Sequence, residues 1–329
     1  MITTLTTTTE TDLLLRHADH PSAFLALRSG TARFAAPGLD GLVAYREAGG
    51  YAFVLGGPVA APEDRPALLE AFRAFERGRG KRVVALQVRP DDVALWRGAG
   101  FRLNQLGTSF SLDLARFSLR GQAFMQLRNK LSRARRAGVE VALPEHDAAT
   151  WADLAAVSRA WLTTKGAREL TFLSGEVGRP DETWRRVLVA RQGDRVVGFV
   201  TLTPSPGRLA GWQHDLSRRV PDAPPGVMEA LVVHAIERLR AEGCAWLHFG
   251  LTPLVGLERE PDLGGGGSAL ASWLLRALAR HGQALYPAAT QAAYKRKWGP
   301  VIEVPELFAF EGRYRPWSAV RLLQVTHGE

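Results

Sequence analysis

One cysteine, Cys244, is all that the 329 residues contain. A disulfide framework and a cysteine-rich zinc site are thereby excluded. Its setting, AEGCAWLHFG, reads as the start of a buried strand, so Cys244 is expected as a small core residue. No run approaches ~18 consecutive apolar residues, and no membrane-spanning helix is predicted. The N-terminal MITTLTTTTETD has neither the basic nor the apolar region of a signal peptide and reads as a frayed tail over residues 1–11. A cytoplasmic location is the expectation. Common catalytic signatures are missing too: no G-x-S-x-G, no H-E-x-x-H and no Walker A sequence occurs. His214 and Asp215 adjoin, but no serine stands at a spacing that suggests a triad.

Acid is missing from one long stretch. Between Ala115 and Val139 there are seven basic residues and no Asp or Glu. Phe124, Leu127, Leu131 and Ala134 recur at helical steps, while Arg128, Lys130, Arg133, Arg135 and Arg136 fall away from that line. The spacing predicts an amphipathic helix with a cationic face. The whole chain carries a formal net charge of +9, a balance that favours polyanionic partners such as nucleic acid, an anionic membrane face or phosphorylated substrates. With 46% hydrophobic and 23% charged residues, it has the composition of a globular protein with a real core. Its length suits two domains, or one large α/β unit.

Along the chain, residues 41–61 read as strand, Gly-Gly turn, strand and loop. PEDRPALLEAFRAFERGRG (62–80) reads as a helix with a glycine C-cap, KRVVALQV as a buried strand, PDDVALWRGAG as a short helix and FRLNQLGTSFSLDL as strand. The order recurs about 145 residues later: a hairpin over 186–205, a helix over 224–243, the strand CAWLHFGL and the helix ALASWLLRALARHG. Such a duplication predicts an α/β (α+β) fold built as a tandem pair of acetyltransferase-like units of the GNAT type. The predicted division is a tail (1–11), a first unit (12–118), a basic connecting helix (119–137) and a second unit (138–329). GRG at 78–80 follows a helix and precedes a strand, so it reads as a C-cap and not as a phosphate cradle. GGGGS at 264–268 reads as a flexible linker.

Six stretches then carry a resemblance: RNKLSRARRAG, SRAWLTTKGARELTFLSG (158–175), VVGFVTLTPS (196–205), HDLSRRVPDAPPGVMEALVV (214–233), HFGLTPLVG (248–256) and LYPAATQAAYKRKWGP (285–300). As an ordered set they resemble the catalytic domain of the phosphatidylglycerol lysyltransferases, from about residue 54 to 310. That family has Met and Asp where this chain has Ser217 and Glu229, and its lipid-modifying members carry an N-terminal multi-helix membrane portion that does not precede these stretches here. The resemblance implies a tandem acetyltransferase-like fold and transfer of an aminoacyl group from aminoacyl-tRNA. Soluble, stand-alone members aminoacylate small molecules, and a small soluble acceptor is the leading expectation. The alternatives are phosphatidylglycerol met by peripheral docking on an anionic membrane, an acyl-CoA-dependent N-acyltransferase, and a non-enzymatic RNA-binding protein.

Aminolysis or transesterification of an activated ester needs acceptor positioning, removal of one proton and oxyanion stabilisation. It requires neither metal nor covalent intermediate, so no cofactor is expected beyond aminoacyl-tRNA as co-substrate. The resemblance places Asp215 and Arg218 in the substrate pocket. Asp215 would hold the α-ammonium or orient the acceptor, and Arg218 would meet phosphate or the oxyanion. Glu229, at the opening of its helix, either binds an ammonium, serves as a base, or only complements the helix N-terminus. Lys165 and Glu169 are candidate pocket residues, as is His214. YKRKW is read as extended, with Lys295 and Lys297 on one side and able to hold tRNA phosphates. Tyr294 and Trp298 are candidates to stack on the terminal adenine, with core packing the safer reading for Trp298. His248 is expected as a satisfied core histidine. The helix bearing Arg128, Lys130, Arg133, Arg135 and Arg136 is expected to contact the tRNA acceptor stem through phosphates.

Overall fold

A computed structural model describes residues 7–165, 170–258, 266–282 and 286–327. The first unit runs α1 (Thr7–His17), β1 (Ala32–Phe34), β2 (Gly41–Ala48), β3 (Tyr51–Leu55), β4 (Val59–Ala60), α2 (Arg65–Gly78), β5 (Arg82–Val88), α3 (Val93–Gly98) and β6 (Phe101–Asp113). The second runs α4 (Met125–Arg136), β7 (Val139–Ala142), α5 (Ala148–Lys165), β8 (Arg186–Gln192), β9 (Arg195–Ser205), β10 (Gly211–Arg219), α6 (Val227–Ala241), β11 (Trp246–Pro253), α7 (Ala269–His281), α8 (Ala288–Arg296), β12 (Ile302–Glu311) and α9 (Trp317–His327).

Period-two burial organises the first unit. Val83 and Ala85 of β5 meet Leu68, Leu69 and Phe72 of α2 on one sheet face. Val84 and Leu86 turn to the other face, where Ala271 of α7 and Val325 of α9 cover them. As the glycines predict, α2 ends at Gly78, and Gly80 takes φ +70° while its N–H caps the Arg77 carbonyl. In the second unit Leu231, Val232, Ile236 and Leu239 of α6 are fully buried. Each such burial is worth about 1.5–3 kcal/mol.

The strands form one sheet in the order β1-β2-β3-β5-β12-β6-β11-β10-β9-β8-β7, with β4 off that path against β2. Each unit repeats a motif: an antiparallel hairpin, a helix, then a strand parallel to the hairpin's second strand. In the first unit this is β2-β3-α2-β5, in the second β9-β10-α6-β11. The tandem acetyltransferase-like pair read from the duplication is therefore present, with one shift. A strand not read from the sequence, β10, lies between the second hairpin and α6, so β9 and not β8 corresponds to β2. The units are also knitted together. Strand β12 inserts between β5 and β6 of the first unit, and β6 bonds β11 of the second.

Three expectations are corrected. The tail read over 1–11 is helical from Thr7, because Leu13 and Leu14 are buried and Arg33 anchors Glu10 at 2.5 Å. Residues 266–268 are not a free linker: Arg102 donates to the Gly266 and Gly267 carbonyls, and Ser268 caps α7 by accepting from the Ala271 N–H at 3.3 Å. YKRKW is not extended. The alanine-rich run AATQAAYKR is a good helix former and makes α8. Residues two apart on a helix point about 200° from one another, so Lys295 and Lys297 serve different places.

Candidate active site

Parallel pairing between β10 and β11 covers only Gly211–Gln213 with Trp246–His248, after which the strands fork. A fork beyond the carboxyl ends of parallel strands is where open α/β sheets take ligands. At Gly250, φ is +67° and a Cβ would stand 2.5 Å from the Gln213 amide, so this bend requires glycine. Lys295 enters the fork from α8 and donates to the carbonyls of Gly250 and Leu251, 2.9 Å each. Burial pushes its ammonium down to about 7. His214 faces the same region, its ring 5.8 Å from that of Phe249, and burial with the Lys295 charge lowers it to about 4.

Beside the fork lies a Lys-Glu-Lys cluster. Glu229, in the first turn of α6, is 6% exposed. Its Oε1 accepts from Lys130 of α4 and from Lys297, which follows α8, at 2.8 Å each. Burial opposes ionisation of this carboxyl, but the two lysine hydrogen bonds outweigh it and hold Glu229 below its ordinary range. Lys297 is lowered by burial, with Glu229 pulling the other way. Its Nζ stands 3.9 Å from the centre of the Tyr294 ring. The cluster ties the basic helix to the start of α6 and the end of α8.

Asp215 belongs to a second cluster. It is the extra residue of a β-bulge, where the pairing of β10 with β9 passes from His214 to Leu216. Its side chain is 4% exposed and takes hydrogen bonds from Arg185 and Thr201. Burial raises the carboxyl, and the Arg185 guanidinium offsets part of that rise. Arg185 also bonds Glu182 at 2.6 Å. Gly175 lies against the carboxylate so closely that a Cβ would fall 2.2 Å from Oδ1. Arg28 of the first unit holds that loop by donating to the Gly175 carbonyl at 2.9 Å. Arg218 is buried, bonded to Ser158 and stacked 5.1 Å from the Trp161 ring, both on α5.

The structure thus brings Lys130, Glu229, Tyr294 and Lys297 together, and Lys295 with His214, while Asp215 and Arg218 lie in other contacts. Trp298 is fully buried in the core and does not offer a face for a base. Lys165 is exposed at the end of α5, and Glu169 lies outside the described residues. Arg128 braces the preceding loop through the Gly121 carbonyl at 2.8 Å. Arg133, Arg135 and Arg136 are exposed, while Leu127 and Ala134 bury the other side of α4. His248 is the core histidine that the sequence suggests, between the Ser111 hydroxyl (2.7 Å) and the Leu209 carbonyl (2.9 Å). Sequence reasoning missed Arg28, Glu182 and Arg185. Only the i, i+3 spacing of Glu182 and Arg185 before a strand hinted at the inner pair.

A forked second unit, a tandem duplication and a basic helix joined to the site define a tandem acetyltransferase-like fold. The chain belongs to the family described as phosphatidylglycerol lysyltransferase, C-terminal, whose model matches residues 11–310. A lysylphosphatidylglycerol biosynthesis bifunctional protein, LysX, of Nocardia farcinica is 28% identical over 310 residues, covering 91% of this chain and 27% of the relative. The chain therefore spans about a quarter of the length of such curated relatives. Among solved structures, the C-terminal domain of an Agrobacterium fabrum protein named as a lysylphosphatidylglycerol synthetase superposes with TM-score 0.80 at 25% identity, covering 98% of this chain and 96% of that one. L-PGS of Bacillus licheniformis gives 0.79 at 20%, covering 98% and 97%, a likeness of fold. Among the described residues no helix is long and apolar enough to cross a membrane.

Proposed function

We propose that this chain transfers an aminoacyl group from aminoacyl-tRNA to a hydroxyl, with a phospholipid head group as acceptor. The observation that carries the reading is the Lys130–Glu229–Lys297 cluster, which links an acid-free helix suited to RNA phosphates directly to the buried carboxylate of the site. The family description and the relatives' names, which speak of lysine and phosphatidylglycerol, favour a lipid acceptor.

Both lysines bond Oε1 of Glu229. A carboxylate held ionised by two ammonium groups is a weak base. Its role is to orient the acceptor hydroxyl or the α-ammonium of the aminoacyl group, not to carry a proton away. Lys297 and Lys130 place positive charge where the ester carbonyl becomes an oxyanion. The acceptor oxygen bonds the carbonyl carbon, the bond to the tRNA ribose oxygen breaks, and the acceptor proton ends on that leaving oxygen.

The acyl-CoA alternative meets a steric obstacle. The first turn of α6, where a strand-to-helix cradle would hold a pyrophosphate, is covered by α4. At Gly226 a Cβ would stand 2.1 Å from the Lys130 carbonyl. The test mixes purified protein and tRNA charged with labelled amino acids, first with phosphatidylglycerol vesicles and then with an aqueous metabolite extract. Label in lipid supports the reading. Label only in a water-soluble product replaces the lipid acceptor with a soluble one, and no transfer from any charged tRNA overturns the reading.

A further inference from the structure

Eleven large apolar side chains are exposed among the described residues, and six of them lie on two helices. These are Leu270, Trp273 and Leu278 of α7, and Trp317, Val320 and Leu323 of α9. Trp273 is 64% and Trp317 67% exposed. The two helices sit on one sheet face, since Ala271 and Leu275 of α7 share a core cluster with Leu322 and Val325 of α9 around Phe308 and Phe310. Their outer faces therefore both look away from that sheet face. Monomeric proteins seldom leave so much apolar surface on one side without a use for it.

Charge identifies what covers it. Residues 266–282 and 312–327 contain no Asp or Glu, whereas Arg280, Arg313 and Arg315 are exposed around the apolar stripe. A second copy of this chain would oppose one acid-free arginine rim to another, which repels. An anionic lipid surface supplies both partners at once, acyl boundary for Leu and Trp and headgroups for Arg. We propose that α7 and α9 form a docking face that seats the protein in the headgroup layer of an anionic phospholipid membrane. This deepens the lipid-acceptor form of the proposed function. The face is also separate from the RNA-facing helix: α4 packs on the core of the second unit, and α7 and α9 on the cluster around β12.

The test reads vesicle binding without tRNA, so it stands apart from transfer. Co-sedimentation compares vesicles of phosphatidylglycerol with phosphatidylcholine against phosphatidylcholine alone. Wild type is expected to bind only the anionic vesicles. The paired variants Leu270→Glu/Trp273→Glu and Trp317→Glu/Leu323→Glu, which change exposed positions, are expected to bind about tenfold or more weakly while keeping their far-UV circular dichroism. Reversing Arg133, Arg135 and Arg136 is expected to leave vesicle binding as it was. Absent binding by wild type, equal binding to neutral vesicles, or undiminished binding by both variants overturns the proposal. So does a dimer in sedimentation velocity that these variants dissolve, which would give the face to a second copy. Vesicle binding that depends on α7 and α9, with label transferred only to soluble product, keeps the docking face and removes the lipid acceptor.

Discussion

Glu229 and Lys297 sit where one charge decides two things, reactivity and local packing. Glu229→Gln keeps the shape but removes the anion between two ammonium groups, and Lys297→Met removes a cation at the proposed oxyanion position. Each is expected to lower the single-turnover transfer rate by about 10²-fold. An unchanged rate with a correctly folded variant would take these residues out of the chemistry. The buried titratable groups give a second prediction. His248 has a folded value of about 4 against 6.5 ordinarily, so the unfolded chain binds more protons between those values. Stability present above pH 6.5 is lost as pH falls toward 4, on the order of 3 kcal/mol from this residue. Lys295, held near 7, acts in the window above it. Its penalty is full below pH 7 and is relieved as pH rises toward ~10.4, so Lys295→Met should flatten the rise of stability with pH in that range. Urea unfolding at stepped pH reads both slopes.

Helix α4 shows what an element can carry that single residues cannot. Its outer arginines are exposed and without ion pairs among the described residues, while its inner side and Lys130 are committed to the fold. Reversing Arg133, Arg135 and Arg136 to Glu is therefore expected to leave the melting temperature nearly unchanged. It should weaken tRNA binding and reduce the dependence of log K on log salt by about two to three. An unaltered salt slope would mean the phosphates lie elsewhere. Gly226→Ala acts on the same element from the opposite side. The new methyl meets the Lys130 carbonyl at a position already at φ +97°, so α4 must lift from α6 and the Lys130–Glu229 bond must lengthen. Loss of stability and transfer together, against a charge reversal that weakens tRNA binding at unchanged stability, separates docking of the helix from its surface charge.

The molecule as a whole is not two beads on a string. Strand β12 lies between β5 and β6, and β6 joins the two half-sheets. Removing residues after about 300 strips β5 and β6 of their shared partner, leaving long unpaired edges in the first unit. Residues 1–137 expressed alone are expected to be unfolded or aggregated by circular dichroism and size exclusion, and addition of 138–329 during refolding is expected to restore the native signal. A folded, monomeric 1–137 would show that the exchanged strand is dispensable.

Much of this architecture is legible in the chain itself. The helix α2 with its glycine cap, the amphipathic α4 and the repeat order follow from periodicity and capping, which act over a few residues and leave their mark locally. Strand β10 escapes such a reading because the bulge at Asp215 breaks its alternation, and α8 because the alternating lysines of YKRKW imitate a strand and mask the helix-forming alanines before them. The site lies further out of reach. Glu229 meets lysines 99 residues before it and 68 after it, and Arg28 reaches a loop carbonyl 147 positions away. Composition and spacing decided that there would be two related units and a cationic helix between them. Which carboxylate those cations hold, which arginine neutralises Asp215 and which strand closes both sheets were decided by tertiary packing alone, because burial and charge pairing depend on distance in space and not along the chain.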